Sequence, residues 1–306
     1  MLVMAYGTPG APDAVEAFYT DVRRGRPPSP EQLADLVRRY DAIGGTSPLA
    51  TRTAEQVARI QDQLDRRAPG RFTCVLGNKH SKPRIEAAVA SLAAGGVRRL
   101  VGLVLAPHYS RGSVGEYVAR AAKEALRHDM SAAFVEHWHE NPVLIGLLAE
   151  RVRASFRTLG PAGELAFRNG QFLLLVTAHS LPVRVVAEGD PYADQLARTA
   201  ELVAQASGFS RFEIGWQSAG RTPEPWLGPD ILEKIRALPG EKVSAVVVCA
   251  AGFTSDHLEV LYDLDIDARR VAAEVGVGFA RTASLNAEPA MCAALADLVI
   301  KSAARL

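Results

Sequence analysis

The stretch VSAVVVCAAGFTSDHLEVLY, residues 243–262, decides the fold, because an apolar run typical of a buried strand passes directly into a polar segment. Residues 172–182, FLLLVTAHSLP, show the same arrangement upstream and place His179 just after the apolar run. Buried parallel strands are nearly continuous in apolar residues, and sites in open α/β sheets lie beyond the carboxyl ends of such strands. We therefore expect His179 and Glu259 to serve one chemistry, although eighty positions of chain separate them.

Outward from these two stretches, short apolar runs alternate with longer segments of helical periodicity, as a parallel sheet with crossover helices requires. The predicted strands are 2–6, 72–76, 100–105, 133–138, 172–177, 212–216, 243–248 and 277–282. The predicted helices are 50–67, 82–94, 115–127, 142–156, 190–206 and 288–304. The pattern predicts an α/β protein with a four-stranded parallel sheet in each half.

The two halves are also similar to each other, since residues 103–117 have the same layout as residues 246–259. Duplication of a four-strand unit, with the ligand bound between the two units, explains this similarity. The interruption of the helical pattern at 158–169 predicts domains 1–158 and 159–306, with the terminal helix free to pack back on the first domain.

The composition excludes several classes of function. A net charge of +1 over 306 residues gives no overall field to attract nucleic acid or an anionic membrane, so the partner is expected to be a small molecule. Cys74, Cys249 and Cys292 are far apart and lack C-x-x-C spacing, which argues against a disulfide framework and a cysteine-ligated metal centre. With no signal peptide and no apolar run of about 18 residues, we expect a cytoplasmic protein without a membrane span.

Three loop side chains suit metal or proton chemistry. A neutral imidazole at His179 would accept a proton or bind a divalent metal, and the carboxylate of Glu259 would balance the charge; helix capping or loop hydrogen bonds are the alternative. Tyr6, after the first strand, would bind iron or donate a hydrogen bond to a substrate, unless it is a core tyrosine. Lys79 and His80 end the second strand, where they would form a polar rim or a metal route, although a plain surface position is the stronger expectation.

Charged clusters point to the kind of ligand. Arginines in 22–28 and 37–40 would bind a ligand with several carboxylates if they line a cleft, and otherwise form a solvated face. Asp263, Asp265 and Asp267 alternate like ligands of a hydrated cation, or form an acidic surface. The aromatic loop 222–229 suits a large flat apolar ligand or, equally, a well-packed wall of the protein itself. No phosphate-binding glycine motif is found, which argues against a nucleotide cofactor.

Six motifs in order together resemble the ferrochelatases, and within them the coproporphyrin ferrochelatases of Gram-positive bacteria. The motifs span essentially the whole chain and are LVMAYGTP (2–9), AIGGTSPL (42–49), LAPHYS (105–110), TAHSLP (177–182), GWQS (215–218) and GFTSDHLEVLY (252–262). The resemblance implies two similar Rossmann-like domains, an active-site cleft between them, and a lyase that inserts ferrous iron into coproporphyrin III to give coproheme in haem biosynthesis.

The resemblance also assigns roles to single residues. His179 and Glu259 would handle the metal and accept protons on one face of the macrocycle, and Tyr6 would approach the iron from the other face. The resemblance does not say whether His179 or Glu259 binds iron first. Tyr6 is also expected to contact the substrate, and the residues expected to hold propionates are Arg23, Arg39, Ser47 and Tyr117.

The implied partners are coproporphyrin III and ferrous iron, an iron donor and a downstream haem-synthesis enzyme, with the protein itself a monomer. Iron is a substrate here, so no prosthetic group is expected. Some actinobacterial relatives carry a cysteine-ligated [2Fe–2S] cluster, which this chain is expected to lack because its cysteines are not clustered. The alternatives are a protoporphyrin IX ferrochelatase, another tetrapyrrole chelatase, or a non-catalytic tetrapyrrole or haem carrier.

Overall fold

The computed structural model describes residues 1–220 and 222–306. Within them, the strands form two four-stranded sheets in which every pair of neighbouring strands is parallel. The strands are β1 (Leu2–Ala5), β2 (Val75–Asn78), β3 (Arg99–Val104), β4 (Ser131–Val135), β5 (Phe172–His179), β6 (Phe212–Gln217), β7 (Ala245–Cys249) and β8 (Gly278–Arg281). The predicted α/β class with two parallel sheets is confirmed.

The helices of the described residues connect the strands and cover the sheets. They are α1 (Val15–Val22), α2 (Pro30–Ala42), α3 (Leu49–Arg67), α4 (Ile85–Ala94), α5 (Val114–Arg127), α6 (Pro142–Thr158), α7 (Gly160–Arg168), α8 (Val183–Ala187), α9 (Tyr192–Ser207), α10 (Ile231–Ala237), α11 (Leu258–Leu261), α12 (Arg269–Glu274) and α13 (Pro289–Ala303). A 3₁₀ turn covers Pro12–Ala14, and a π-helix covers Asp263–Ala268. None of these described helices is long and apolar enough to cross a membrane.

The first compact unit contains Met1–Trp138, Ser255–Leu258 and Leu285–Leu306. Its sheet has the order β2-β1-β3-β4, and its core is made of buried side chains from β1, β3, α4 and α5. The helix α13 packs against α3, β3 and β4, and Asp297 on α13 pairs with Arg67 on α3 at 2.9 Å. The last helix therefore completes the core of this unit.

The second compact unit contains His139–Thr254 and Glu259–Ser284. Its sheet has the order β6-β5-β7-β8, and the whole of β7 is buried. Here the division differs from the predicted boundary at residue 158, because α6 packs against α9, β7 and β8 and belongs to this unit. The sequence GPAG at 160–163, expected to interrupt the helical pattern at the boundary, begins α7 instead, since proline is well suited to a first helical turn.

In both sheets the strand order reverses beside the first strand of the unit, β1 or β5. In the first, β1 pairs with β2 on one side and β3 on the other, and in the second, β5 lies in the same way between β6 and β7. Where strand order reverses, the connections after the two central strands leave in opposite directions and open a crevice at their carboxyl ends. In each unit, a site is therefore expected after β1 or β5.

Candidate active site

His179 is the last residue of β5, at the crevice of the second unit. The seven residues before it are buried, whereas its own side chain is 38% exposed, so the strand delivers the imidazole to the surface. Its Nδ1 lies 2.6 Å from the carbonyl oxygen of Ser180. Because a carbonyl oxygen only accepts, Nδ1 donates the proton, and Nε2 of the neutral ring keeps its lone pair.

Glu259 reaches the same place from the loop that follows β7. The loop passes close to β5, where the Gly252 amide donates to the carbonyl oxygen of Thr177 at 3.0 Å. A Cβ on Gly252 would lie 2.4 Å from the Cβ of Ala178, so only glycine allows this approach. Glu259, in the short helix α11, then places Oε1 3.8 Å from Nε2 of His179.

Aromatic and amide groups surround this pair. The side-chain amide of Gln217 donates to the backbone carbonyl of Glu259 at 3.3 Å, which holds the carboxylate-bearing turn against the end of β6. Burial and, secondarily, the charge of Glu259 raise the pKa of Tyr192, so its phenol stays protonated. The ring of Trp226, in the predicted aromatic loop, lies 6.5 Å from the imidazole of His179 between centroids.

The acidic stretch after α11 forms the π-helix and is paired with other side chains. Asp265 accepts two hydrogen bonds from the guanidinium of Arg281, at 2.9 and 2.6 Å, and Asp263 accepts one from Ser218 at 2.6 Å. Asp267 pairs with an arginine three residues on. In the part of the chain that the structure describes, no three His, Cys, Asp or Glu side chains are grouped to hold a metal ion. The three alternating carboxylates therefore do not form the cation site considered from the sequence, because the guanidinium of Arg281 is hydrogen-bonded to both oxygens of Asp265.

In the first unit, Tyr6 follows β1 at the crevice of its own sheet. Its side chain is 43% exposed, so it is not a core tyrosine. The ring packs against that of His80 at 4.6 Å and that of Phe18 at 6.3 Å between centroids. The His80 amide donates to the carbonyl oxygen of Tyr6 at 3.0 Å, which ties the two loops together.

Lys79 and His80 were expected at the surface, and this expectation is wrong. Lys79 is buried, with Nζ 2.9 Å from a carboxylate oxygen of Glu116 and 5.3 Å from the ring centroid of Tyr117. Burial lowers the pKa of Lys79, against the opposing effect of Glu116. The side chain of His80 is 10% exposed, and burial lowers its pKa also.

Two residues beside His80 were not found from the sequence. Asp21 on α1 accepts a hydrogen bond from His80 Nδ1 at 2.7 Å, and Arg84, at the start of α4, donates to both of its carboxylate oxygens. The hydrogen bond from Arg84 lowers the pKa of Asp21 to about 2. No spacing points to this trio, because its members come from three separate elements that only the folded chain assembles.

The residues expected to hold propionates all lie in the first unit. Arg23 ends α1 with its guanidinium 5.5 Å from the centroid of a tyrosine ring, and Arg39 lies in the last turn of α2, 3.5 Å from an aspartate. Ser47 is buried, and its hydroxyl accepts a backbone N–H two residues on at 3.2 Å. Tyr117 is buried in α5, where burial raises the pKa of its phenol well above the usual value.

The comparison with protein families bears on the whole chain, since the Ferrochelatase family model matches residues 1–303. The chain belongs to the ferrochelatase family. Among curated ferrochelatases, the coproporphyrin III ferrochelatase of Anoxybacillus flavithermus is 44% identical over 98% of this chain and 95% of its own. That of Bacillus subtilis is 41% identical over 100% and 98%, and a ferrochelatase of Thermus thermophilus is 44% identical over 98% of each.

Solved structures are similar in fold at low sequence identity. The Bacillus subtilis protein SirB with Fe3+ matches with a TM-score of 0.51 and 13% identity over 83% of this chain and 91% of that one. DR2241 from Deinococcus radiodurans, described as structurally similar to chelatases, gives a TM-score of 0.50 and 14% identity over 83% and 51%. These matches show that the ferrochelatase chain has a chelatase fold.

Proposed function

We propose that this protein is a lyase that inserts ferrous iron into coproporphyrin III and releases coproheme, in haem biosynthesis. Membership of the ferrochelatase family supports the reaction, and the coproporphyrin III ferrochelatases among the relatives support the choice of porphyrin. The observation that carries the proposal is the pairing of Nε2 of His179 with Oε1 of Glu259 at 3.8 Å.

Insertion requires two events for which this pair is suited. The porphyrin must lose two pyrrole protons, and aqueous ferrous iron must exchange its waters for ring nitrogens. His179 accepts a proton at Nε2, because the Ser180 carbonyl keeps the other proton on Nδ1. Glu259 then lies close enough to stabilise the imidazolium, and its oxygen is a hard ligand that attracts the divalent cation.

Three further residues, Tyr6, Arg23 and Arg39, complete the proposed set. We assign the exposed phenol of Tyr6 to the iron on the opposite face of the ring. Arg23 and Arg39 bind propionates, because a guanidinium matches a carboxylate with two parallel hydrogen bonds. Coproporphyrin III carries four propionates and protoporphyrin IX two, so an arginine-rich rim favours the more anionic ring.

We further propose that the protein works in the cytoplasm as a monomer. Its cysteines are free, and burial raises the pKa of Cys249 to about 12 and those of Cys74 and Cys292 to about 11. Thiols that stay protonated are poor nucleophiles. Free cysteines suit a reducing compartment. Sedimentation of the purified protein at micromolar concentration tests the monomer, and a dimer would contradict it.

An anaerobic assay of the purified protein with ferrous iron and coproporphyrin III tests the reaction. We expect coproheme to form at a catalytic rate, and a lower kcat/KM with protoporphyrin IX in place of coproporphyrin III. A preference for protoporphyrin IX would make the protein a ferrochelatase of the other kind. Binding of both rings without turnover would make it a tetrapyrrole carrier and overturn the proposal.

A further inference from the structure

A cluster of charged and aromatic side chains lies beside Tyr6 in the first unit. At its centre, the carboxylate of Asp21 accepts three hydrogen bonds, one from His80 Nδ1 at 2.7 Å and two from Arg84 at 3.0 and 2.6 Å. Arg84 also donates to the carbonyl oxygen of Lys79 at 2.7 Å. The guanidinium thus ties α1 to the segment that carries His80.

The imidazole of His80 in turn packs against the ring of Tyr6. The two rings lie 4.6 Å apart at an interplanar angle of 60°, and Phe18 on α1 meets each of them edge-on at 6.3 Å. Aromatic rings in such contact have preferred orientations, so the plane of one limits the plane of the other. A rotation of the imidazole would therefore change the direction of the phenol.

Close packing alone does not hold this arrangement. A cavity of about 620 Å³ borders the cluster, and its lining includes Phe18, Asp21, His80 and Arg84. Side chains beside an open space lose the contacts that would otherwise fix their rotamers. The charge-assisted hydrogen bonds to Asp21 fix the side-chain positions here, since such bonds are shorter and stronger than neutral ones.

We propose that Asp21, clamped by Arg84, is a positioning residue that holds His80 and thereby sets the direction of the Tyr6 phenol toward the iron. The inference rests on the proposed function, because the direction of the phenol matters only if Tyr6 meets the metal. In this proposal Asp21 acts through His80, to which it is hydrogen-bonded. Misplacing a reacting group by about 1 Å costs up to about 100-fold in rate, so this support affects kcat.

The test compares Asp21→Asn with the parent and with the matched control Glu86→Gln. Glu86 accepts two hydrogen bonds from Arg120, which also donates to the Lys79 carbonyl, so the control removes an equivalent charge pair that does not contact His80. For Asp21→Asn we expect kcat for coproporphyrin III to fall about tenfold, and KM to stay within about twofold. Glu86→Gln should match the parent in both.

A spectroscopic readout follows the phenol itself. Ferric coproheme bound to the parent should show a phenolate-to-iron charge-transfer band that Tyr6→Phe abolishes. In Asp21→Asn, that band should shift or lose intensity while the thermal midpoint changes no more than in Glu86→Gln. An unchanged band and kcat would overturn the inference. A rise in KM would overturn it too, because it would mean that Asp21 serves porphyrin binding at the end of α1.

A double variant tests whether Asp21 acts through the imidazole. In His80→Phe, the packing ring is kept and the hydrogen-bond donor is lost, so adding Asp21→Asn should lower kcat no further. Additive losses would overturn the inference. Failure of the parent to insert iron would overturn the proposed function, whereas an active parent in which Tyr6→Phe alters the band and Asp21→Asn does not would overturn this inference alone.

Discussion

The carbonyl oxygen of Ser180 selects the tautomer of His179 and so leaves a basic nitrogen facing Glu259. Removing that nitrogen in His179→Ala should lower iron insertion at least 100-fold, in the range by which general bases contribute, and leave the Kd for coproporphyrin III within about threefold. Initial rates of coproheme formation and quenching of porphyrin fluorescence measure the two effects. Equal rates in variant and parent would remove His179 from the chemistry.

Gly252 allows the loop that carries Glu259 to approach β5. In Gly252→Ala, the added methyl group would meet Ala178 at 2.4 Å, so the loop must shift. We expect a loss of about 1–3 kcal/mol in the free energy of unfolding, together with reduced turnover. Gly146→Ala in α6 is the matched control, because nothing lies within 4 Å of its new Cβ, and a mid-helix alanine should be neutral or stabilising by up to about 1 kcal/mol. Urea unfolding of both variants decides the matter.

Among the secondary-structure elements, those with strong apolar runs or clear helical periodicity were predictable from the sequence. All eight predicted strands and all six predicted helices exist, with ends within three residues of those observed. The sequence missed the other seven helices, α1, α2, α7, α8, α10, α11 and α12, of which all but α2 are shorter than ten residues and so show little helical periodicity. The proximity of His179 and Glu259 was predictable because strand ends are visible in a sequence. The pairing of Asp21 with Arg84 was not, because contacts between separate elements leave no such pattern.

The helix α2 shows how local chemistry starts an element that hydrophobic periodicity did not reveal. The Ser29 hydroxyl accepts the Gln32 amide at 3.2 Å, and the Gln32 side chain accepts the Ser29 amide at 3.0 Å. Ser29→Ala should destabilise the helix by about 1 kcal/mol, and Ser29→Asp, a good cap, should not. Hydrogen exchange of amides in 31–42 should quicken about fivefold in Ser29→Ala only. Unchanged exchange would show that tertiary contacts alone hold α2.

At the scale of the whole molecule, a net charge of +1 leaves porphyrin selectivity to single arginines. Arg39→Ala should therefore weaken binding of coproporphyrin III by about 1–2 kcal/mol and that of protoporphyrin IX by less. Coproporphyrin III has four propionates that can pair with arginines and protoporphyrin IX has two, so the loss of one arginine should affect coproporphyrin III more. Fluorescence titrations of both porphyrins measure the difference, and Arg38→Ala on the neighbouring, more exposed position is the control. Matched losses for the two rings would contradict the role of this rim.

Global stability should also depend on the Asp21 and Arg84 pair in acid. Arg84 lowers the pKa of Asp21 from 3.8 to about 2, so the folded state binds the proton less tightly than the unfolded state. The stabilisation is therefore fully present above about pH 5 and is lost as the pH falls through about 2. The full shift corresponds to about 2 kcal/mol, and screening at a side chain that is 35% exposed reduces it to about 1 kcal/mol.

Urea unfolding of the parent and of Asp21→Asn across this pH range measures that contribution. The parent should exceed the variant by about 1 kcal/mol near pH 6 and by about half of that near pH 3. Because other carboxyl groups titrate equally in both proteins, the difference isolates Asp21. A difference independent of pH would mean that the variant loses packing and not charge.

The helix α13 is the last helix of the chain, yet it packs on α3, β3 and β4 of the unit that is synthesised first. On the ribosome, residues 1–138 leave the exit tunnel long before residues 289–303, and the apolar surface under α13 stays uncovered throughout that interval. All four strands of the second unit's sheet are synthesised before α13, because β8 ends at Arg281. During synthesis the first unit therefore stays incomplete until α13 emerges, and its uncovered apolar surface is prone to aggregation over that interval.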